Sequence, residues 1–236
     1  MSIELMRQTV DGWCARIEAR AQPNPAAVNH HDGAVVVLTG ATGGVGAHLL
    51  AQFSSCPDVS KVICLSRAKS HAESLDRVTA SLGSRALSAD MTKVVSYAGD
   101  ANQPLLGLTP AEYADVRDSV TVVIHLAWPV NFRMALSRYE EHFEGVINLI
   151  NLTLASPRNK PAAFFFATSI CSIGGFSSDT IIEENFMAPE GAIMGYGKSK
   201  WIVEEIIKRT GSVGRLSVFR IGQVSGDTVQ CVTRVE

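Results

Sequence analysis

The sequence predicts an α/β chain built as a doubly wound parallel sheet, and three observations carry that prediction. Six short runs of apolar residues alternate along the chain with stretches of helical periodicity. A glycine cluster follows the first run directly and opens the first helical stretch behind it. The runs are apolar throughout, which is the pattern of strands covered on both faces.

In order, Ile3, Met6, Val10, Trp13, Cys14 and Ile17 recur at three- and four-residue spacing and predict a helix over residues 3–17. Pro23, Asn24 and Pro25 end it, so residues 21–33 read as a linker and residues 1–32 as an N-terminal appendage to a unit spanning 33–236. Strands are expected at 34–38, 61–65, 94–97, 120–126, 162–167 and 216–221. Helices are expected at 46–55, 72–82, 110–118, 136–155 and 196–209; in the fourth, Phe143, Val146, Ile147, Ile150 and Leu154 form one apolar stripe. Alternation of this kind calls for parallel strands joined by right-handed crossovers, and six strands fill the order 3-2-1-4-5-6.

Composition narrows the function classes. The 236 residues are 46% hydrophobic and 19% charged, with 21 basic against 23 acidic side chains and a net charge of −2. Basic residues are scattered, so the sequence offers no footprint for a nucleic-acid backbone. Five dispersed cysteines (14, 56, 64, 171 and 231) form no CxxC pair, which speaks against a disulfide framework or a zinc site. Glu4, Arg7 and Asp11 interrupt any signal-peptide core, and no run approaches the ~20 apolar residues of a membrane span. The expectation is a soluble cytoplasmic protein with no membrane or metal partner. Nothing fixes its oligomeric state.

The glycine cluster reads Thr39-Gly40-Ala41-Thr42-Gly43-Gly44-Val45-Gly46 between an apolar strand and a helix. Glycines there let the chain turn sharply and bring its backbone against a pyrophosphate, while the helix start offers unpaired N–H groups. The cluster satisfies GxxGxxG through Gly40, Gly43 and Gly46, and also TGxxxGxG through Gly40, Gly44 and Gly46. A dinucleotide site of Rossmann type is the reading; Thr42 and Val45 belong to its loop. Where an NAD-binding chain usually carries a carboxylate, the second strand ends in Ser66-Arg67-Ala68-Lys69. Arg67 suits a 2′-phosphate bidentately and Ser66 can donate to it, which favours NADPH. Asp100, after the third strand, is expected to accept from the adenine amino group, with Ala101 beside it.

Tyr196-Gly197-Lys198-Ser199-Lys200 places a phenol and an ammonium four apart on one helix face. A phenol of ordinary pKa near ~10 exchanges protons poorly at neutral pH unless a cation steadies its phenolate. Lys200 is expected to supply that charge and to hold the nicotinamide ribose. A hydroxyl partner is expected where the fifth strand ends, with Ser169 preferred and Thr168 the alternative.

Four segments then resemble the short-chain dehydrogenase/reductase superfamily, extended type, and in particular the thioester reductase domains of nonribosomal peptide synthetases, polyketide synthases and aminoadipate-reductase-like enzymes. They are residues 38–50, 125–132 (His-Leu-Ala-Trp-Pro-Val-Asn-Phe), 195–201 and 220–226 (Arg-Ile-Gly-Gln-Val-Ser-Gly). The resemblance implies NADPH-dependent reduction of an acyl or peptidyl phosphopantetheine thioester on a carrier protein, releasing an aldehyde or alcohol. It implies Tyr196 as acid, Lys200 as its tuning partner, and Ser169 or Thr168 at the oxyanion. It further implies Leu126, Ala127, Trp128, Ile221, Gly222 and Val224 around the cofactor, and Asn131 near the substrate. Such domains continue into a C-terminal substrate subdomain that is largely absent here, and residues 229–236 do not read like its beginning. A truncated piece or a stand-alone short form is therefore expected. A reductase of small aldehydes or ketones, an idle NADP-binding module and a non-redox cyclase are the alternatives.

Overall fold

Val35, Val36, Val37 and Leu38 are buried on both sides of the first strand, β1 (Ala34–Thr39), which lies at the centre of the sheet. The computed structural model describes residues 2–177 and 186–224. Around β1 stand β2 (Val59–Ser66), β3 (Val94–Ala98), β4 (Val122–His125), β5 (Ala163–Ser169) and β6 (Arg215–Ile221). The pairings are parallel and the order is β3-β2-β1-β4-β5-β6. The described helices are α1 (Ile3–Cys14), α2 (Gly44–Ser55), α3 (His71–Gly83), α4 (Pro110–Ser119), α5 (Glu140–Ala155) and α6 (Met194–Thr210).

The helices form two layers. Leu50, Val78 and Leu82 of α2 and α3 close one core against Val36, Leu38 and Val62. Val116, Ile147, Ile150, Ile202 and Ile206 of α4, α5 and α6 close the other against Val35, Val37, Phe164 and Phe166. Because the strand order reverses between β1 and β4, their C-terminal ends part into a crevice. Thr39, Ser66, His125 and Ser169 all stand at those ends.

Four expectations change. The fourth strand is only Val122–His125: the Val120 N–H finishes α4 on the Val116 carbonyl, and the Leu126 N–H turns to Thr39. Residues Leu136–Tyr139 form a 3-10 turn ahead of α5, which itself starts at Glu140. β6 is not covered on both faces, since Arg215, Ser217 and Phe219 are exposed at the sheet edge. The N-terminal segment is no loose appendage: Met6 and Val10 are buried in the core with α5 and α6, and Arg16 holds Glu144 at 2.5 Å. The following residues are tied down by Ala21 N–H to Leu154, Asn24 N–H to Pro157 and Asn29 N–H to Asp118. Among the described residues, no helix is long and apolar enough to cross a membrane.

Candidate active site

The glycine loop is shaped by contacts that leave no room for a Cβ. Gly40 has φ +78°, and a Cβ there would lie 2.9 Å from the Ala127 nitrogen. A Cβ on Gly46 would fall 2.1 Å from the Gly40 carbonyl oxygen, and one on Gly43 3.3 Å from the same atom. At Gly44 the nearest atom would be 4.0 Å away, on Arg85. The tight positions are therefore Gly40, Gly43 and Gly46, the GxxGxxG set. Gly44 and Val45 supply the first turn of α2, whose leading N–H groups the loop presents to the crevice.

That crevice is a cleft of about 310 Å³. Gly40, Thr42 and Gly43 line it, with Leu126 and Ala127 packed against Gly40 and Trp128 following them. Among the described residues its charged lining is Arg67 and Arg77, with no carboxylate. Arg77 of α3 donates to the Arg67 carbonyl and so fixes the turn that carries Arg67. The glycine cradle, the helix start and two cations fit the phosphates of a dinucleotide.

Ser66 Oγ lies 2.6 Å from Ser74 Oγ, which also stands 2.7 Å from Ser96 Oγ and 3.0 Å from the Tyr97 carbonyl, so Ser66 lines the cleft as the end of a chain of hydroxyls. Asp100 lies outside the cleft, in a neighbouring depression with Arg67, and its carboxylate accepts the Asn102 N–H of its own turn at 3.0 Å. Gly99, Ala101 and Asn102 line the cleft in its place.

The wall is tied together where β1 meets β4: Thr39 Oγ1 accepts N–H groups from Leu126 and Ala127, both at 3.2 Å. With both lone pairs used, its proton goes to His125 Nδ1 at 2.6 Å, and the imidazole hydrogen resides on Nε2. Burial pushes His125 down to about 3, so the ring is neutral. Trp128 stacks on Tyr139 at 5.9 Å and donates through its indole N–H to Ser199 at 3.2 Å.

Beside this wall stand Tyr196, Lys200 and Ser169. Burial pushes the Tyr196 phenol above its ordinary value, and the Ser169 hydroxyl that faces it acts in the opposite direction. Tyr196 thus stays protonated at neutral pH. Lys200 is 3% exposed; Nζ donates to the Ala167 carbonyl at 2.7 Å and lies 4.7 Å from the Trp128 ring centre and 4.3 Å from that of Phe166. It stands 5.7 Å from the Tyr196 ring centre. Burial opposes the charge on Lys200 and pulls its own pKa well down.

Thr168 is corrected. Its hydroxyl donates to Glu204 Oε1 at 2.6 Å, away from Tyr196, as strand alternation requires of two successive residues. Asn131 is exposed beyond Trp128; its side-chain oxygen accepts the Arg133 N–H at 3.0 Å. Ile221 pairs in register with Ser169, whereas Gly222 and Val224 are exposed and do not line the cleft. Ser225, Gly226 and residues 229–236 lie outside the described residues.

Sequence reasoning missed Arg77, His142 and Glu204. Arg77 and His142 reach the cleft from helices by tertiary placement alone. Glu204 carried a signal: it continues the four-residue spacing of Tyr196 and Lys200 by one more turn.

The NAD-binding family model described as male sterility protein matches residues 38–235. The chain belongs to that family. It is 34% identical over 231 residues to a carboxylic acid reductase of Neurospora crassa, which covers 94% of this chain and 21% of the relative. It is 36% identical over 215 residues to the adenylate-forming reductase Nps11 of Serpula lacrymans, covering 87% of this chain and 19% of the relative. Among solved structures, the terminal R domain from the myxalamid PKS-NRPS biosynthetic pathway superposes with a TM-score of 0.78 at 23% identity, over 93% of this chain and 57% of that one. The PhqB reductase domain from Penicillium fellutanum gives 0.71 at 19%, over 97% and 57%. The chain thus spans about a fifth of these relatives and over half of these solved chains. As a member of the male sterility protein family, it carries an NAD(P)-binding domain of doubly wound architecture.

Proposed function

We propose that the chain is the cofactor-binding and catalytic part of an NADPH-dependent thioester reductase, acting on an acyl or peptidyl chain held by a carrier protein's phosphopantetheine. The observation that carries this reading is the Tyr196 phenol facing Ser169, with buried Lys200 beside it, next to the glycine-lined cleft. The names of the relatives, which are reductases of carboxylic acids and adenylate-forming reductases, support the substrate class. Arg67 and Arg77, which line the cleft among the described residues where no carboxylate does, support NADPH over NADH.

When bound, the dihydronicotinamide supplies hydride to the thioester carbonyl carbon. Ser169 and Tyr196 hold the carbonyl oxygen, and Tyr196 gives it a proton as negative charge develops. The resulting hemithioacetal breaks its C–S bond, leaving an aldehyde and the carrier thiol. Lys200, kept on its aromatic walls by the Ala167 carbonyl, orients the ribose and offsets the phenolate between turnovers.

Titration with NADPH and NADH, read by fluorescence and thermal shift, tests the cofactor. Oxidation of NADPH by an acyl-pantetheine thioester then tests the chemistry. Tyr196→Phe should bind NADPH as the parent does and lose turnover; unchanged turnover in that variant would sink the mechanism.

A further inference from the structure

Glu204 is 1% exposed and lies one turn beyond Lys200 on α6. Its Oε1 accepts from Thr168 Oγ1 at 2.6 Å and from Ser172 Oγ at 2.7 Å. Its Oε2 accepts from Arg220 Nη2 at 2.6 Å and from Arg220 Nε at 3.2 Å. Thr168 and Arg220 are register partners on β5 and β6, so one carboxylate binds both strands and the turn after β5 to α6. Replacing such a buried ionic cluster with apolar side chains of similar volume is often neutral or stabilising, so stability alone does not require it.

The cluster sits inside a repeated match between strand and helix. Three successive residues of β5, namely Ala167, Thr168 and Ser169, each face one of three residues spaced by four on α6. Ala167 accepts from Lys200, Thr168 donates to Glu204, and Ser169 faces Tyr196. The middle bond alone engages a full charge with a second strand behind it.

We propose that Glu204 is a positioning residue, clamping the end of β5 to α6 so that Ser169 and Lys200 keep their places relative to Tyr196. This rests on the roles given to Tyr196 and Lys200 above. Glu204 also faces Lys200 electrostatically. Around that ammonium stand Tyr196 and Glu204 from α6, His125 from β4 and His142 from α5, with Arg220 of β6 behind Glu204. Burial pushes both histidines toward neutrality, and the Glu204 carboxylate works against the loss of the Lys200 proton.

The test compares the parent with Glu204→Gln and Thr168→Val in four measurements: melting temperature, NADPH binding by fluorescence, kinetics with an acyl-pantetheine thioester, and titration of Lys200 by NMR of 13C-lysine-labelled protein, assigned with Lys200→Met. In Glu204→Gln, kcat should fall ~10–100-fold while the Kd for NADPH and the thioester KM stay within about twofold. The Lys200 midpoint should move to lower pH in the same variant. Thr168→Val, which keeps the carboxylate, should lose less of kcat and leave that midpoint in place. Equal kcat per NADPH-loaded molecule in either variant would overturn the proposal. So would proportional losses of kcat, NADPH affinity and melting temperature, the mark of a purely structural ion pair. Should Glu204→Gln fail to fold, the kcat of Thr168→Val decides alone. Should the parent bind NADPH without turning over thioester, the thioester reading fails, and an unmoved Lys200 midpoint in Glu204→Gln would overturn the Glu204 link separately.

Discussion

Thr39 Oγ1 lies 2.6 Å from His125 Nδ1 and gives it the only proton the threonine has, across the crevice between β1 and β4. The same oxygen takes the N–H groups of Leu126 and Ala127, so one hydroxyl fixes a neutral imidazole and the wall of the cleft together. His125 protonation cannot be accommodated without breaking that arrangement.

A pH dependence follows from it. His125 is held neutral down to about 3 in the folded chain, against an ordinary 6.5 when unfolded. Between those values the unfolded chain binds a proton that the folded chain does not, so stability falls as pH falls through the window. From pH 7 to pH 5 this group should cost about 2 kcal/mol. His125→Asn keeps an acceptor for Thr39 and does not titrate. Urea unfolding at both pH values should therefore show a smaller loss for that variant; equal losses would mean His125 is not the group responsible.

Substitutions in the glycine loop should divide by contact distance, although all its glycines look alike in sequence. Gly46→Ala places a methyl 2.1 Å from the Gly40 carbonyl oxygen and forces backbone apart. It should lose more than ~2 kcal/mol of stability and most NADPH binding. Gly44→Ala meets nothing nearer than 4.0 Å and should stay within ~1 kcal/mol of the parent. Thermal shift with and without NADPH distinguishes them.

Cofactor choice should depend on Arg67 more than on Ser66. Arg67→Ala should weaken NADPH by ~10–100-fold, the scale of a charge-assisted contact, and leave NADH nearly unaffected. Ser66→Ala should change the NADPH to NADH ratio little, because the serine hydroxyl is already engaged with Ser74 at 2.6 Å. A large selectivity loss in Ser66→Ala would show that the serine chain rearranges around phosphate.

The sheet was legible in the sequence because strands buried on both faces leave uninterrupted apolar runs, as Val35–Leu38 and Phe164–Phe166 do. The strand order followed from the chirality of the crossovers. Tyr196, Lys200 and the glycines were legible because their spacing is local. What escaped was whatever depends on a partner distant in the chain. The Ser66 hydroxyl is engaged by Ser74, the hydroxyl of Thr168 by Glu204, and Arg77 reaches the cleft from a neighbouring helix. β6 reads as apolar, yet its edge position leaves Phe219 exposed, and strand composition alone does not reveal which strand ends a sheet.

The same lesson applies to α1, whose sequence reads as an appendage and whose side chains do not behave as one. Met6 and Val10 are buried at 1% and 0% exposure, in one core with residues of α5 and α6. Asp11 pairs with Arg209 at the last turn of α6, the helix that carries Tyr196 and Lys200. Met6→Ala should therefore cost ~2–4 kcal/mol by the lost burial and the cavity left behind. Arg7→Ala, at an exposed neighbouring position, should change stability by less than ~0.5 kcal/mol. Both are read by urea unfolding of the whole chain. If Met6→Ala melted α1 alone and left the main transition unmoved, residues 1–32 would be an independent unit after all. A single transition shifted as a whole would make α1 part of the domain that holds the active-site helix.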